Sequence, residues 1–213
     1  MSTPLRIDVW SDVVCPFCFI GSVQLSEALA TFEHEADVRV HAFELDPHAP
    51  TSSERPLADV LAAKYGISAE RARAMNEQLA QQGVPLGLTF DFERVRLANS
   101  FDAHRLIALA SSQGLGDEMR LRLYRAYFSD GELISDREVL SNLARDVGVT
   151  GAHELWSGDD FTAEVRDDER RASEMGISGV PAFVLDERHL VSGAQGTDVL
   201  ALALTRAREA REA

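Results

Sequence analysis

Cys15 and Cys18 stand three positions apart around Pro16 and Phe17, and they are the only two cysteines in the chain. A ring closed across so short a spacing constrains the unfolded chain very little, whereas structural disulfides owe their worth to long loops. The pair is therefore read chemically, as a thiol–disulfide exchange couple or as half of a metal site. Zinc would need two further ligands, usually another close pair. No further cysteine exists, and His34, His41, His48, His104, His153 and His189 form no His-x-x-x-His spacing. No metal is expected, and inert buried thiols are the plainer alternative to exchange.

Exchange requires a thiolate. A helix amino terminus offers unpaired N–H groups and a partial positive charge, and Pro16 suits the first helical position because its missing N–H costs nothing there. This places Cys15 at the helix start, with an exposed sulfur and its thiolate stabilised by main-chain donors. Cys18, one turn inward, is expected to be more buried and the poorer nucleophile. Cys15 then attacks a substrate disulfide, and Cys18 resolves the mixed disulfide; run backwards, the pair oxidises a dithiol. Phe17 offers an apolar platform for a peptide, while Phe19 reads as core.

The surrounding elements must position that turn. Residues 7–10 alternate and read as a strand, 17–32 carry apolar residues at helical spacing, and 38–43 alternate again. Residues 46–56 hold three prolines with Ser and Thr and read as a linker. A mainly helical stretch follows. One helix begins near Leu57 and ends near Gly66. Ser68 caps a second that runs to about Gln82, and Gly83–Leu88 reads as a loop. Further helices are expected over 100–112, 117–128, 136–147 (capped by Ser135) and 160–175. Ala182–Leu185 and His189–Ser192 form a β-hairpin around Asp186-Glu187-Arg188, and 197–212 form a last helix. The expected fold class is α/β, a thioredoxin-like fold with an inserted all-helical domain. Residues 1–50 and 176–213 make the thioredoxin-like part and 51–175 the insertion.

Pro181 enters the second strand pair after Gly-Ile-Ser-Gly-Val. That position fits either an ordinary loop proline or a cis X–Pro bond. With the latter, the main chain of Val180 would be placed to pair with an extended substrate segment beside Cys15.

Charge narrows the partners. The chain carries 35 acidic against 21 basic residues in 213, a net charge of −14, which repels a phosphate backbone and suits a dissolved protein. Arg6 and Asp8 interrupt any apolar run at the start, so no signal-peptide core is read there, and the uncharged run from Val13 to Ser26 is too short to span a bilayer. A cytoplasmic protein is expected, with neither nucleic acid nor membrane as partner.

Several segments together resemble the DsbA-like oxidoreductases, in the FrnE-like branch. These are Ser-Asp-Val-Val-Cys-Pro-Phe-Cys-Phe-Ile-Gly at 11–21, Phe-Asp-Phe at 90–92, Asn-Ser-Phe-Asp-Ala-His-Arg at 99–105, Gly-Ile-Ser-Gly-Val-Pro-Ala-Phe at 176–183 and Val-Ser-Gly-Ala-Gln at 191–195. The resemblance implies a thioredoxin fold with a helical insertion, Cys15 as nucleophile, Cys18 as resolving thiol and a cis-proline at Pro181. Some relatives carry a second cysteine pair near the carboxyl terminus; this chain has none. Pro16, Phe17, Val180, Pro181, Asn99 and His104 are the candidate substrate-binding residues, the last two on the side of the helical insertion that would face the thioredoxin part. Protein or small-molecule disulfides and dithiols are the expected substrates. No cofactor is expected, glutathione is a candidate co-substrate, and a homodimer is left open. The competing reading is a glutathione-dependent isomerase or transferase of the kappa-class or hydroxychromene-carboxylate isomerase type, whose members usually have Ser at the place of Cys15 and lack the resolving thiol.

Overall fold

The computed structural model describes residues 3–51 and 55–212; residues 52–54 of the expected proline-rich linker lie outside that range. Two compact units are present, one made of residues 1–45 and 165–213, the other of 46–164. The chain returns to the first unit at Val165, within a helix, rather than at the composition change near Gly176.

In the first unit, β1 (Leu5–Ser11) runs into α1 (Pro16–Ala30) and then β2 (Ala36–Ala42). Returning from the second unit, the chain adds β3 (Ala182–Leu185), β4 (His189–Ser192) and a carboxyl-terminal helix, Thr197–Glu212. The sheet order is β2-β1-β3-β4. β1 and β2 are parallel, with Ile7 opposite Val38, while β3 is antiparallel to both β1 and β4. Asp186 and Glu187 take positive φ values of 53° and 57° in the hairpin turn. This is the strand–helix–strand, then hairpin and helix, of a thioredoxin-type sheet.

Successive side chains of a strand point to opposite faces. Leu5, Ile7 and Val9 of β1, with Phe183 and Leu185 of β3, meet Leu25 and Ala28 of α1 and Leu200, Leu204 and Ala207 of the last helix. Fully burying a Val, Leu, Ile or Phe side chain contributes about 1.5–3 kcal/mol, and the alanines less. On the opposite face Trp10, Ala182 and Val184 pack with Ala172 and Ile177.

The second unit is helical. It comprises α2 (Leu57–Tyr65), α3 (Ala69–Gly83), α4 (Phe101–Ser112), α5 (Gly116–Arg125), α6 (Arg137–Val147) and the short α7 (Ala152–Leu155). α8 (Thr162–Glu174) crosses from this unit to the first, and the terminal helix is therefore α9. Ser68 caps α3 as expected, its hydroxyl accepting from Arg71 N at 3.1 Å, and α2 ends on Gly66 in the left-handed region at φ 65°. Ser135 does not cap α6. Asp136 does, its carboxylate accepting from Glu138 N at 2.8 Å and Val139 N at 3.3 Å, while the Ser135 hydroxyl donates to the Thr51 carbonyl. A carboxylate one residue nearer the helix is the better acceptor for its first N–H groups and also opposes the positive end of the dipole. The helix expected over 117–128 gives way at Ala126–Asp130 to a π turn, where the Phe128 ring packs among Phe90, Phe92, Tyr124 and Tyr127. Among the described residues, no helix is long and apolar enough to cross a membrane.

Candidate functional site

The turn between β1 and α1 is held by one residue, Asp12, which is fully buried. Its main-chain oxygen accepts from Cys15 N at 3.1 Å. Its carboxylate accepts from Val14 N at 3.3 Å and, across the end of the sheet, from Leu45 N at 2.7 Å. An aspartate that takes main-chain N–H groups two residues on is a common way to close such a turn. Cys15 is thereby set as the N-cap of α1, extended at φ −96° and ψ 112°, with Pro16 in the first helical position. Its carbonyl accepts from Cys18 N at 3.0 Å and Phe19 N at 3.3 Å, which starts the helix.

The two cysteines are close together and not bonded to each other. Their surroundings depart from the sequence expectation in two respects, both at Cys15. The Cys15 sulfur is not exposed: the residue is only 3 % accessible. Its side chain also caps no main-chain N–H of the helix. Instead it donates to the Val180 carbonyl at 3.6 Å. The physical reason is that the loop carrying Val180 packs over the start of α1 and brings a carbonyl acceptor to the sulfur. Cys18 is buried as expected. Burial, with the adjacent Cys15 sulfur adding to it, pushes its thiol well above the ordinary range, against weaker opposing contacts from the Asp12 main chain and the Ser11 hydroxyl.

Val180 and Pro181 are joined by a cis bond, and the loop that carries them lies over α1. A Cβ on Gly21 would stand 3.0 Å from Pro181 Cγ and 3.2 Å from Phe183 Cζ, so glycine is what lets helix and loop approach this closely. Phe17, between the two cysteines, is 47 % exposed, a large apolar surface left open next to the thiols. Phe19 is buried in the core. Cys15, Pro16, Phe17, Cys18, Val180 and Pro181 thus all lie in the first unit, with the Val180 carbonyl brought to the Cys15 sulfur from far along the chain.

Asn99 and His104 belong to the helical unit. Asn99 is half-buried; its side-chain oxygen accepts from Phe101 N at 3.0 Å at the start of α4, and its amide donates to the Pro47 carbonyl at 3.4 Å. His104 is buried on the first turns of α4. Arg105, beside it, staples the segment after α7, donating to the Leu155, Gly158 and Asp160 carbonyls at 2.9, 2.6 and 3.0 Å.

Two polar clusters of the first unit went unread in the sequence. His41 on β2 presents Nε2 to Asp8 at 2.7 Å and Nδ1 to Asp168 at 2.6 Å, while Asp168 also accepts from Ala42 N at 3.0 Å. Just beyond β2, the buried Glu44 pairs with Arg166, which also holds Glu169, both at 2.6 Å. Charged residues in a strand with ordinary alternation carry no sign of being paired with a helix more than a hundred residues away. Asp12 did leave a signal, an aspartate at a strand-to-helix turn.

Relatives bear the same architecture. A probable DsbA oxidoreductase from Streptomyces coelicolor is 36 % identical, with 96 % of this chain and 90 % of that one covered and a TM-score of 0.92. A cytosolic disulfide reductase of Pseudomonas aeruginosa, DsbM, solved with glutathione, is 25 % identical with 96 % and 100 % covered and a TM-score of 0.65. YwbO, an uncharacterized protein of Bacillus subtilis, is 29 % identical over 207 residues, 94 % of this chain and 96 % of its own. With residues 6–205 matching the family model of the DSBA-like thioredoxin domain, the chain belongs to the DsbA-like thioredoxin-domain family of oxidoreductases.

Proposed function

We propose that this protein is a cytoplasmic thiol–disulfide oxidoreductase that works through Cys15 and Cys18 on protein or small-molecule disulfides. One observation carries the reading: two free thiols share the first turn of α1, and the one at the N-cap adjoins an exposed aromatic side chain and the Val180 main chain. In the reducing direction the Cys15 sulfur, once deprotonated, attacks a substrate disulfide. One substrate sulfur joins Cys15 in a mixed disulfide and the other leaves as thiolate. Burial keeps the Cys18 proton in place until then; the leaving thiolate takes that proton, and Cys18 attacks the Cys15 sulfur. The products are a Cys15–Cys18 disulfide and a reduced substrate, two electrons having passed to it. Phe17 supplies apolar contact and Val180 main-chain pairing for an extended substrate, with Pro16 and Pro181 shaping the surface between them. Asn99 and His104 are the helical unit's candidates for substrate contact. Glutathione is the candidate co-substrate that resets the pair, a reading supported by the reductase solved with it.

The test is turnover of insulin disulfides and oxidation of a reduced peptide by the wild type, Cys15→Ser and Cys18→Ala. Both activities should fall to background with Cys15→Ser, and Cys18→Ala should accumulate mixed disulfides. Undiminished exchange in Cys15→Ser would remove the proposal. An isomerisation that needs glutathione but not Cys18 would put the isomerase reading in its place.

A further inference from the structure

The helical unit holds a cleft that none of the exchange steps uses. Its volume is about 490 Å³, and Phe101, Asp102, Arg105, Arg137, Trp156 and Asp159 line it together with Asn99. Asp102 is shared by two guanidinium groups, its carboxylate accepting from Arg105 at 2.9 Å and from Arg137 Nε at 2.7 Å. One carboxylate offsets only one of the two cations, so a positive charge is left over. Arg105 is buried and turns its other donors to main-chain carbonyls. The surplus therefore falls to Arg137, whose side chain is 52 % exposed. Its guanidinium is nonetheless held in place, with Nη1 donating to the Trp156 carbonyl at 3.4 Å and the group lying 5.7 Å over the Trp156 ring. The indole is fixed in turn by its donation to the Ser141 hydroxyl at 2.8 Å. Neither Arg137 Nη2 nor the Asp159 carboxylate has a partner among the described residues. A fixed cation with donors to spare, a carboxylate without a donor and aromatic side chains thus line one cleft.

We propose that this cleft binds the α-amino-acid end of a small ligand, Arg137 taking the carboxylate and Asp159 the ammonium. Arginine presents parallel N–H donors that match a carboxylate. A guanidinium already held by Asp102 and Trp156 gives up little further freedom on binding, which removes part of the usual ordering cost. The Trp156 and Phe101 side chains offer apolar surface to the carbon chain that follows, and a few fixed polar groups on such a wall are the common make-up of a small-molecule cleft. A polyanion would be repelled by the net charge of −14, whereas a zwitterion carries no net charge and is not. γ-Glutamyl peptides and free α-amino acids share this end group. The volume of the cleft suits the larger of the two. The inference goes beyond the exchange reading and does not depend on it.

The experiment titrates S-methylglutathione, L-phenylalanine and glutarate into the full-length protein by calorimetry, at low salt and pH 7. Methylation blocks the probe's sulfur, so binding is read without exchange. The proteins are wild type, Arg137→Gln, Asp159→Asn and, as control, Arg125→Gln, which changes an exposed arginine outside the cleft. S-methylglutathione should bind the wild type and the control alike. Arg137→Gln should weaken it about tenfold, the loss of a charged hydrogen bond, and Asp159→Asn about threefold, since that pair is exposed. Glutarate offers carboxylates without an ammonium and should bind about threefold more weakly than the better of the other two. Tighter binding of L-phenylalanine than of S-methylglutathione would support the same end group on a free amino acid. Arg137 and Asp159 are both exposed, so their exchange should leave thermal unfolding close to wild type. Absence of binding by either amino-acid probe, or equal affinity in wild type and Arg137→Gln, would overturn the inference. So would glutarate binding as tightly as the better probe. Each of these results leaves exchange at Cys15 untouched, and loss of exchange in Cys15→Ser leaves the cleft untouched.

Discussion

On one side of β1, Leu5, Ile7 and Val9 sink into an apolar layer under α1 and α9. On the other, Asp8 and Trp10 meet α8, and much of the contact is made by charges. Asp8 and Asp168 bracket His41, Arg171 lies 5.5 Å over the Trp10 ring, and the Trp10 indole donates to the Asp168 carbonyl at 3.0 Å. The two faces use the same strands but differ in what they demand of a partner. The apolar face accepts whatever shape fills it, and its energy follows buried area. The polar face accepts only an element whose donors and acceptors match, because any buried group left over is costly. The helix that docks on the polar face is the one that returns from the inserted unit. Matched charges there select one register of α8, which area alone would do only weakly.

Breaking the apolar face should have the largest effect. Phe183→Ala removes a fully buried ring and should cost about 3–5 kcal/mol in denaturant unfolding; a loss under 1 kcal/mol would mean the layer collapses to fill the gap. On the polar face Asp168→Ala leaves His41 Nδ1 and Ala42 N without their acceptor and should cost about 2 kcal/mol. An equal loss from the exposed Asp167→Ala would show that the effect is not one of matching.

The charges also separate the faces by pH. Burial alone would raise the Asp8 carboxyl, but the hydrogen bonds and charges of Arg6 and His41 outweigh it and hold the carboxyl below its ordinary value. A depressed carboxyl contributes stability above its unfolded value, near about 3.9, and loses it as pH falls through the folded one. The stability gap between wild type and Asp8→Asn should therefore be full at pH 6–7 and close on acidification below about pH 4. Glu44 runs the other way. Burial raises it, Arg166 opposes this, and Glu169 adds to the rise. Its contribution is present at low pH and lost as pH rises through the raised folded value. The smallest expected effect is thus that Glu44→Gln matches wild type near pH 4 and gains on it toward pH 8. A variant that loses stability at pH 8 would show that Arg166 wants the charge more than the burial resists it.

Much of this was open to reading in one dimension. The period-two alternation of 7–10 and 38–43, the helical spacing after Cys15 and the turn residues at 186–188 are local patterns, and they appear as β1, β2, α1 and the hairpin with boundaries shifted by a few residues. Ser68 and Gly66 end helices as their types require. The cap on α6 was missed by one position because Ser135 and Asp136 are both good caps, and their order is settled by which one the carbonyl of Thr51 engages. The short α7 has too few residues for a period to show.

What the chain determined by itself is the pair of thiols on the first turn of a helix, the elements around them and the family they belong to. These follow from residue type and near-neighbour spacing, which act over a turn or a strand. The tertiary structure alone decided the state of the Cys15 sulfur, buried and turned to the Val180 carbonyl, and the partners of Asp12, His41 and Glu44. Those contacts join segments up to 165 positions apart, and no local pattern encodes a hydrogen bond whose two ends meet only after the sheet has closed.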